Sequence, residues 1–104
     1  MSIFGFTSRK RVDETAKTLA REFSRLCPLA APARGGRPSE KKIESALAEI
    51  YKQARAFRRE NRLGVLNRAR FAKVFQDELA ALGYPSELFT KVTTALVINA
   101  LSAD

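Results

Sequence analysis

A row of basic side chains is the group of residues whose type and spacing most clearly suggest a binding chemistry. Four of them recur at intervals of three, four and three residues: Lys52, Arg55, Arg59 and Arg62. Residues at these intervals share one face of a helix, and Arg58 lies at the edge of that face. Because guanidinium groups bind phosphate and carboxylate through paired hydrogen bonds, the row predicts a site for anionic groups.

The arginines of this row lack the acidic neighbours that usually accompany surface charges on a helix. Opposite charges commonly lie three or four positions apart. Lys52 has Glu49 at such a position, whereas none of the arginines has an acid there. In residues 52–73, eight side chains are basic and one is acidic. The other basic residues of this window complete the candidate site: Arg68, Arg70 and Lys73.

Most catalytic and metal chemistry is disfavoured by composition, because the chain has no histidine and Cys27 is its single cysteine. Histidine is the commonest metal ligand and the usual general base near neutral pH. One cysteine forms neither a standard zinc site nor an intrachain disulfide. We therefore predict a non-enzymatic protein with no catalytic residue, no metal and no cofactor. The lone cysteine fits a reducing, cytoplasmic setting.

The overall charge indicates the kind of partner. A net charge of +8 and a pI near 10.3 favour anionic molecules. The first expectation is the phosphate backbone of RNA or DNA, where basic side chains neutralise phosphates and release counterions. A small subunit of a nucleoprotein complex would have this character. The alternative is an adaptor or inhibitor that uses the same residues against an acidic protein surface.

Neutralisation inside the fold is a third outcome. Asp77, Glu78 and Glu87 belong to neighbouring predicted helices. The angular position of Glu78 falls among those of Phe71, Phe75 and Leu82, so its carboxylate needs a partner. We expect that partner to be an arginine of the second helix.

Four predicted helices position these side chains. Apolar residues recur every three or four positions over residues 8–27, 39–62, 67–82 and 85–101. No stretch alternates with a period of two residues, so no sheet is expected. The sequence predicts one all-α domain over residues 1–104, a compact bundle of three to four helices with the C-terminal helix central. Residues 1–7 are expected to form a tail and residues 28–37 a mobile linker.

Glycine, proline and asparagine suggest where these helices begin and end. Pro28 should end the first helix, because the residue before a proline avoids the helical conformation. We expect Gly64 to end the second helix in a left-handed conformation and Asn67 to cap the third. Gly83 should stop the third helix, and Pro85 should open the fourth.

The fourth helix is apolar on nearly all sides, with Lys91 as the only charge between Leu88 and Leu101. Such a helix is buried, either by its own chain or by a second copy. The sequence therefore allows a homo-oligomer through Leu88–Leu101. A helix-turn-helix motif that reads DNA sequence is disfavoured, because the polar side chains of this helix that could contact base edges are mainly Thr90, Lys91 and Thr94.

A membrane is not the expected partner. The fourth helix is shorter than the roughly 20 apolar residues that cross a bilayer. The N-terminal order of Ile3, Phe4 and Phe6 before residues 9–11, Arg-Lys-Arg, would suit shallow docking on anionic lipid. For so short a segment, folding back onto the bundle is the preferred interpretation.

Overall fold

In a computed structural model, the described residues, 9–28 and 39–102, fold into four α-helices with no strand among them. The predicted all-α bundle is therefore confirmed. The helices are α1 (Arg9–Leu26), α2 (Glu40–Asn61), α3 (Val65–Ala81) and α4 (Ser86–Leu96), and α4 continues into a π-helical segment, Val97–Leu101. The predicted tail of residues 1–7 and all but the first residue of the predicted linker lie outside the described residues.

The junction between α2 and α3 differs from the sequence prediction. Arg62, not Gly64, holds the left-handed conformation, with φ 49° and ψ 54°. The Leu63 N–H then donates to the Arg58 carbonyl at 3.1 Å, which closes a Schellman-type turn and leaves Leu63 buried. Gly64 is extended and α3 begins directly after it, so the predicted cap at Asn67 was wrong.

The other predicted boundaries agree closely with the structure. Helix α1 ends at Leu26, two residues before Pro28. Gly83, with φ 99°, follows the C-terminal cap of α3. Pro85 is the N-cap residue of α4, which begins at Ser86, one position after the predicted start. At the start of α2, the Ser39 hydroxyl accepts a hydrogen bond from the Lys42 N–H at 3.2 Å.

One apolar core joins all four helices, and α1 and α3 form its most closely packed pair. Its largest fully buried side chains come from each helix: Phe23, Ile43, Ile50, Phe71, Phe75, Leu79, Leu88 and Leu96. Helix α4 packs on both α3 and α2, whereas α2 makes few contacts with α3. The C-terminal half of α2 instead packs against the π-helical segment.

Tyr84 fastens the α3–α4 turn to the end of α1. Its hydroxyl donates a hydrogen bond to the Cys27 carbonyl at 2.7 Å, and its ring centroid lies 5.7 Å from that of Phe23. Burial raises the pKa of the Tyr84 phenol, which therefore remains a donor at neutral pH. Cys27 is fully buried, and burial raises the pKa of its thiol as well.

The acidic residues of α3 pair in a way that the sequence did not indicate. Glu78 accepts a hydrogen bond from Arg21 Nε of α1 at 2.9 Å, so the expected pairing with an arginine of α2 was wrong. The reason is the packing order, because α3 lies against α1 and makes few contacts with α2. Asp77 pairs with Lys73, one turn away on α3, at 3.0 Å.

The final helix is covered by its own chain on one side only. Leu88, Val92 and Leu96 are completely buried, whereas Val97 and Ile98 are 39% and 64% exposed. Among the helices of residues 9–28 and 39–102, none combines the length and the apolarity needed to cross a membrane.

Candidate partner-binding surface

Three elements meet at one end of the molecule: the C-terminal half of α2, the N-terminal half of α3 and the π-helical segment. Hydrogen bonds from three arginines join them, and we call this group the arginine clamp. Each arginine donates to a main-chain carbonyl of the last turn: Arg55 Nε to Asn99 and Arg58 Nε to Ala100, both at 2.9 Å, and Arg68 Nη1 to Leu101 at 3.3 Å.

The clamp has a simple physical cause. The last carbonyls of a helix have no partner within the helix, and the helix dipole places about half a negative charge there. A guanidinium group donates hydrogen bonds to these carbonyls and places a positive charge at the negative end of the dipole. A carbonyl is neutral, however, so these bonds leave each guanidinium with its positive charge. The predicted clustering of these arginines is thus explained in part by a structural role at the end of the final helix.

Arg55 makes a second contact that orients it. Its guanidinium carbon lies 5.8 Å from the centroid of the Tyr51 ring, within reach of a cation–π interaction. Asn99 Nδ2 donates to the Tyr51 hydroxyl at 3.4 Å and to the Ala95 carbonyl at 2.9 Å. Burial raises the pKa of Tyr51, so its phenol remains neutral.

Two of the predicted site residues are engaged with carboxylates on α1 or α3. Arg70 donates to both oxygens of Asp13 on α1, at 2.7 and 2.9 Å. This hydrogen bond is the main reason that the pKa of Asp13 lies below its ordinary value. Lys73 pairs with Asp77. The structure therefore directs both residues towards acids of the protein itself, away from the row on α2.

The remaining predicted residues, Lys52, Arg59 and Arg62, are exposed on α2 and at its C-terminal cap. We call them the open cations. Their side chains make no hydrogen bond or ion pair with residues 9–28 or 39–102. Of the eight residues predicted for the site, these three keep both their charge and their exposure.

An apolar patch close to Arg62 was predicted only in part: the sequence marked the last helix as apolar on nearly all sides, but it did not mark Val65 and Leu66. Its members are Val65 and Leu66, 71% and 85% exposed, and Val97 and Ile98 of the π-helical segment. Four of the five large apolar side chains that are exposed in the described residues lie in this patch; the fifth is Leu82. For Val97 and Ile98 the sequence signal is their position around the helix axis, which differs from that of the buried stripe of Leu88, Val92 and Leu96.

A groove of about 380 Å³ borders the patch and includes two of its members, Val65 and Val97, in its lining. It lies between the first turn of α3 and the π-helical segment, and is lined by Val65, Arg68, Ala69, Val97, Leu101 and Ser102. Within the described residues, no three acidic or cysteine side chains come together as ligands for a metal ion. The surface therefore offers apolar contact and positive charge for binding.

Known proteins add nothing to this geometry: the chain matches no family model, no curated protein and no solved structure.

Proposed function

We propose that the protein is a non-catalytic binding module for an acidic protein partner. The partner contacts the apolar patch and places its carboxylates against the open cations. The observation that carries this proposal is the position of four exposed apolar side chains directly after Arg62 and on the adjoining π-helical segment. Exposed apolar side chains that cluster beside charged groups are typical of interaction sites.

The apolar patch favours a protein over a nucleic acid. Binding to a phosphate backbone rests mainly on charge and on hydrogen bonds to phosphate oxygens. Such binding makes no use of an exposed Leu66 or Ile98. Protein interfaces, in contrast, combine an apolar centre with a polar, solvent-accessible rim. The apolar patch and the open cations supply these two parts.

The phosphate backbone of RNA or DNA is the second candidate, and one observation favours it. Two open cations, Lys52 and Arg59, lie about 10 Å apart along the axis of α2, and Arg62 follows at its C-terminal cap. A row of this kind suits a repeating polyanion. Each phosphate contact on duplex DNA would contribute about −0.9 to the slope of log affinity against log salt concentration.

Photo-crosslinking separates the two candidates. In one variant of the full chain benzoylphenylalanine replaces Leu66, and in a matched control it replaces Leu82. Both variants are irradiated in a lysate of the source cells. We expect an adduct from position 66 that protease removes and nuclease leaves intact. Its partner, identified by mass spectrometry, should carry an acidic segment at the crosslinked site.

The charge variant Arg59→Gln/Arg62→Gln should weaken this adduct, whereas Lys41→Gln/Lys42→Gln, at the other end of α2, should not. An adduct that nuclease removes would assign the surface to nucleic acid. Equal adducts from positions 66 and 82 would contradict a binding surface at this end of the molecule.

A further inference from the structure

We propose, building on the proposed function, that the partner segment is an amphipathic helix. Its apolar face covers the apolar patch, one of its side chains enters the groove, and its carboxylates lie opposite Arg59 and Arg62. The protein would therefore recognise a helical motif with apolar residues on one face and acidic residues at the edge of that face.

The lining of the groove suits an apolar side chain. Its two polar side chains are already hydrogen-bonded: Arg68 donates to the Leu101 carbonyl at 3.3 Å, and the Ser102 hydroxyl donates to the Val97 carbonyl at 2.8 Å. Each of these two side chains thus has a partner within the chain, although Arg68 keeps further N–H donors at the rim of the groove. The rest of the lining is aliphatic. The volume of about 380 Å³ lies at the lower end of the range for binding pockets, enough for a side chain but small for a cofactor.

The walls of the groove favour a helix over a strand. One wall is the first turn of α3 and the other is the π-helical segment. The described residues contain no strand, so no sheet edge is present there to which an extended peptide could add. A helix lying in a groove between two helices is the recognition mode that this geometry fits.

Charge explains why the occupant is acidic. Arg62 lies three residues before Val65, and Arg59 lies one further turn along α2. Both side chains are exposed and make no ion pair with the described residues. A carboxylate at the edge of the docked helix would form an ion pair with Arg59 or Arg62.

A second copy of the chain is a poor occupant of this surface. A two-fold interface brings the same patch of both copies together. Arg59 and Arg62 would then approach their own counterparts, and Glu60 is the only acid in residues 52–73. Like charges would oppose each other across the interface, whereas an acidic helix would complement them.

The test measures the binding of labelled synthetic peptides to the full chain by fluorescence anisotropy. The probe is an amphipathic peptide of about 18 residues with leucine at the i, i+3, i+4 and i+7 anchor positions and glutamate at the edge of that face. One control peptide has glutamine for each glutamate, and a second has serine for each anchor leucine.

The apolar contacts are tested with Leu66→Ser/Ile98→Ser, matched against Leu82→Ser. Both changes affect exposed side chains, and Leu82 lies about 24 Å from Leu66 along α3. Thermal unfolding verifies that each variant is folded. We expect the double variant to bind the acidic peptide about tenfold or more weakly, because the contact area of two large aliphatic side chains is lost. The Leu82 variant should bind like the unchanged protein.

The charge contacts are tested with Arg59→Gln/Arg62→Gln, matched against Lys41→Gln/Lys42→Gln. We expect the first pair to weaken binding of the acidic peptide by about threefold to tenfold, as for exposed ion pairs at an interface rim. It should leave binding of the glutamine peptide unchanged. The lysine pair should have no specific effect on either peptide.

The possible failures are distinguishable. If the arginine variant weakens binding while Leu66→Ser/Ile98→Ser does not, the helix-in-groove proposal is wrong and acidic-partner binding remains. If the acidic peptide does not bind, or neither variant affects it, both proposals are wrong. An RNA oligonucleotide that binds more tightly, and equally to the Leu66/Ile98 variant, would assign the site to phosphates. Dimerisation that this variant abolishes would make a second copy the occupant.

Discussion

Two interfaces of the bundle satisfy their cationic side chains in different ways. Where α1 packs on α3, guanidinium groups meet carboxylates: Arg70 pairs with Asp13, and Arg21 with Glu78. At the end of the final helix, the arginine clamp meets main-chain carbonyls instead. The first arrangement pairs opposite charges, whereas the hydrogen bonds of the second are made to neutral carbonyls.

Apolar side chains divide in the same way. Between α1 and α3, Phe23, Phe71 and Phe75 are completely buried. Beside the clamp, the apolar patch and the open cations remain exposed. The comparison shows that a cluster of arginines alone does not reveal a binding site. Its members first have to be divided into those that hold the fold together and those that remain available to a partner.

The sharpest contrast lies within the final helix, between Leu96 and Ile98. Leu96→Ala should lower the free energy of unfolding by about 2–5 kcal/mol, because it empties a fully buried site. Ile98→Ala should change it by less than about 0.5 kcal/mol, because that side chain is 64% exposed. Urea unfolding measures both. A loss above 2 kcal/mol for Ile98→Ala would mean that this side chain belongs to the core.

Within the basic row, substitutions of Arg58 and Arg59 should differ in their effect on the free energy of unfolding, and this is the second largest contrast. Arg58→Met should cost about 1.5–3 kcal/mol of unfolding free energy, since it removes a charged donor from the Ala100 carbonyl in a half-buried position. Arg59→Met should cost less than about 0.5 kcal/mol, because Arg59 is exposed. The two melting temperatures, measured under one buffer, would coincide if the clamp did not contribute to stability.

On the opposite side of the molecule, Tyr84→Phe removes the buried hydroxyl that bonds to the Cys27 carbonyl. We expect a loss of about 0.5–1.5 kcal/mol, because the Cys27 carbonyl loses its donor while the ring contact with Phe23 is kept. Hydrogen exchange should report local loosening at the end of α1. Unchanged exchange and unchanged stability would show that the α3–α4 turn is held by apolar packing alone.

The smallest effect concerns Asp13 and Arg70. The pKa of Asp13 is lowered in the folded protein, chiefly by its hydrogen bond to Arg70. The pair therefore stabilises the fold above the ordinary aspartate pKa of about 3.9, and the contribution is lost as the pH falls through the lowered value. At pH 7 the free energy of unfolding of Asp13→Asn should be slightly lower than that of the unchanged protein. The difference should shrink at strongly acidic pH, and a difference that grew there would contradict the assignment.

Much of the fold follows from local pattern. The stripe of Val12, Ala16, Leu19 and Phe23 is buried as its spacing predicts, and the end of α3 at Gly83 follows from that residue's tolerance of positive φ. The left-handed conformation of Arg62 was missed because local propensity favours Gly64. Burial of Leu63 overrides that preference, and burial depends on the whole bundle.

The candidate site was less predictable than the fold. The sequence identified the basic row, but the clamp joins residues 33 to 44 positions apart and uses carbonyls, which no sequence pattern marks. The partner of Glu78 depended on which helices are neighbours. The single-domain organisation and the cytoplasmic setting stay predictions.

The division of the basic row is tested most directly by nuclear magnetic resonance of the arginine side chains. Exchange of each Nε–H proton with water is measured in the ¹⁵N-labelled protein, with assignments from single Arg→Lys variants. Arg55 and Arg58 donate through Nε to carbonyls, so their Nε–H protons should exchange more slowly than those of Arg59 and Arg62. Equal rates for all four arginines, or slower exchange at Arg59 and Arg62, would contradict the division into clamp residues and open cations.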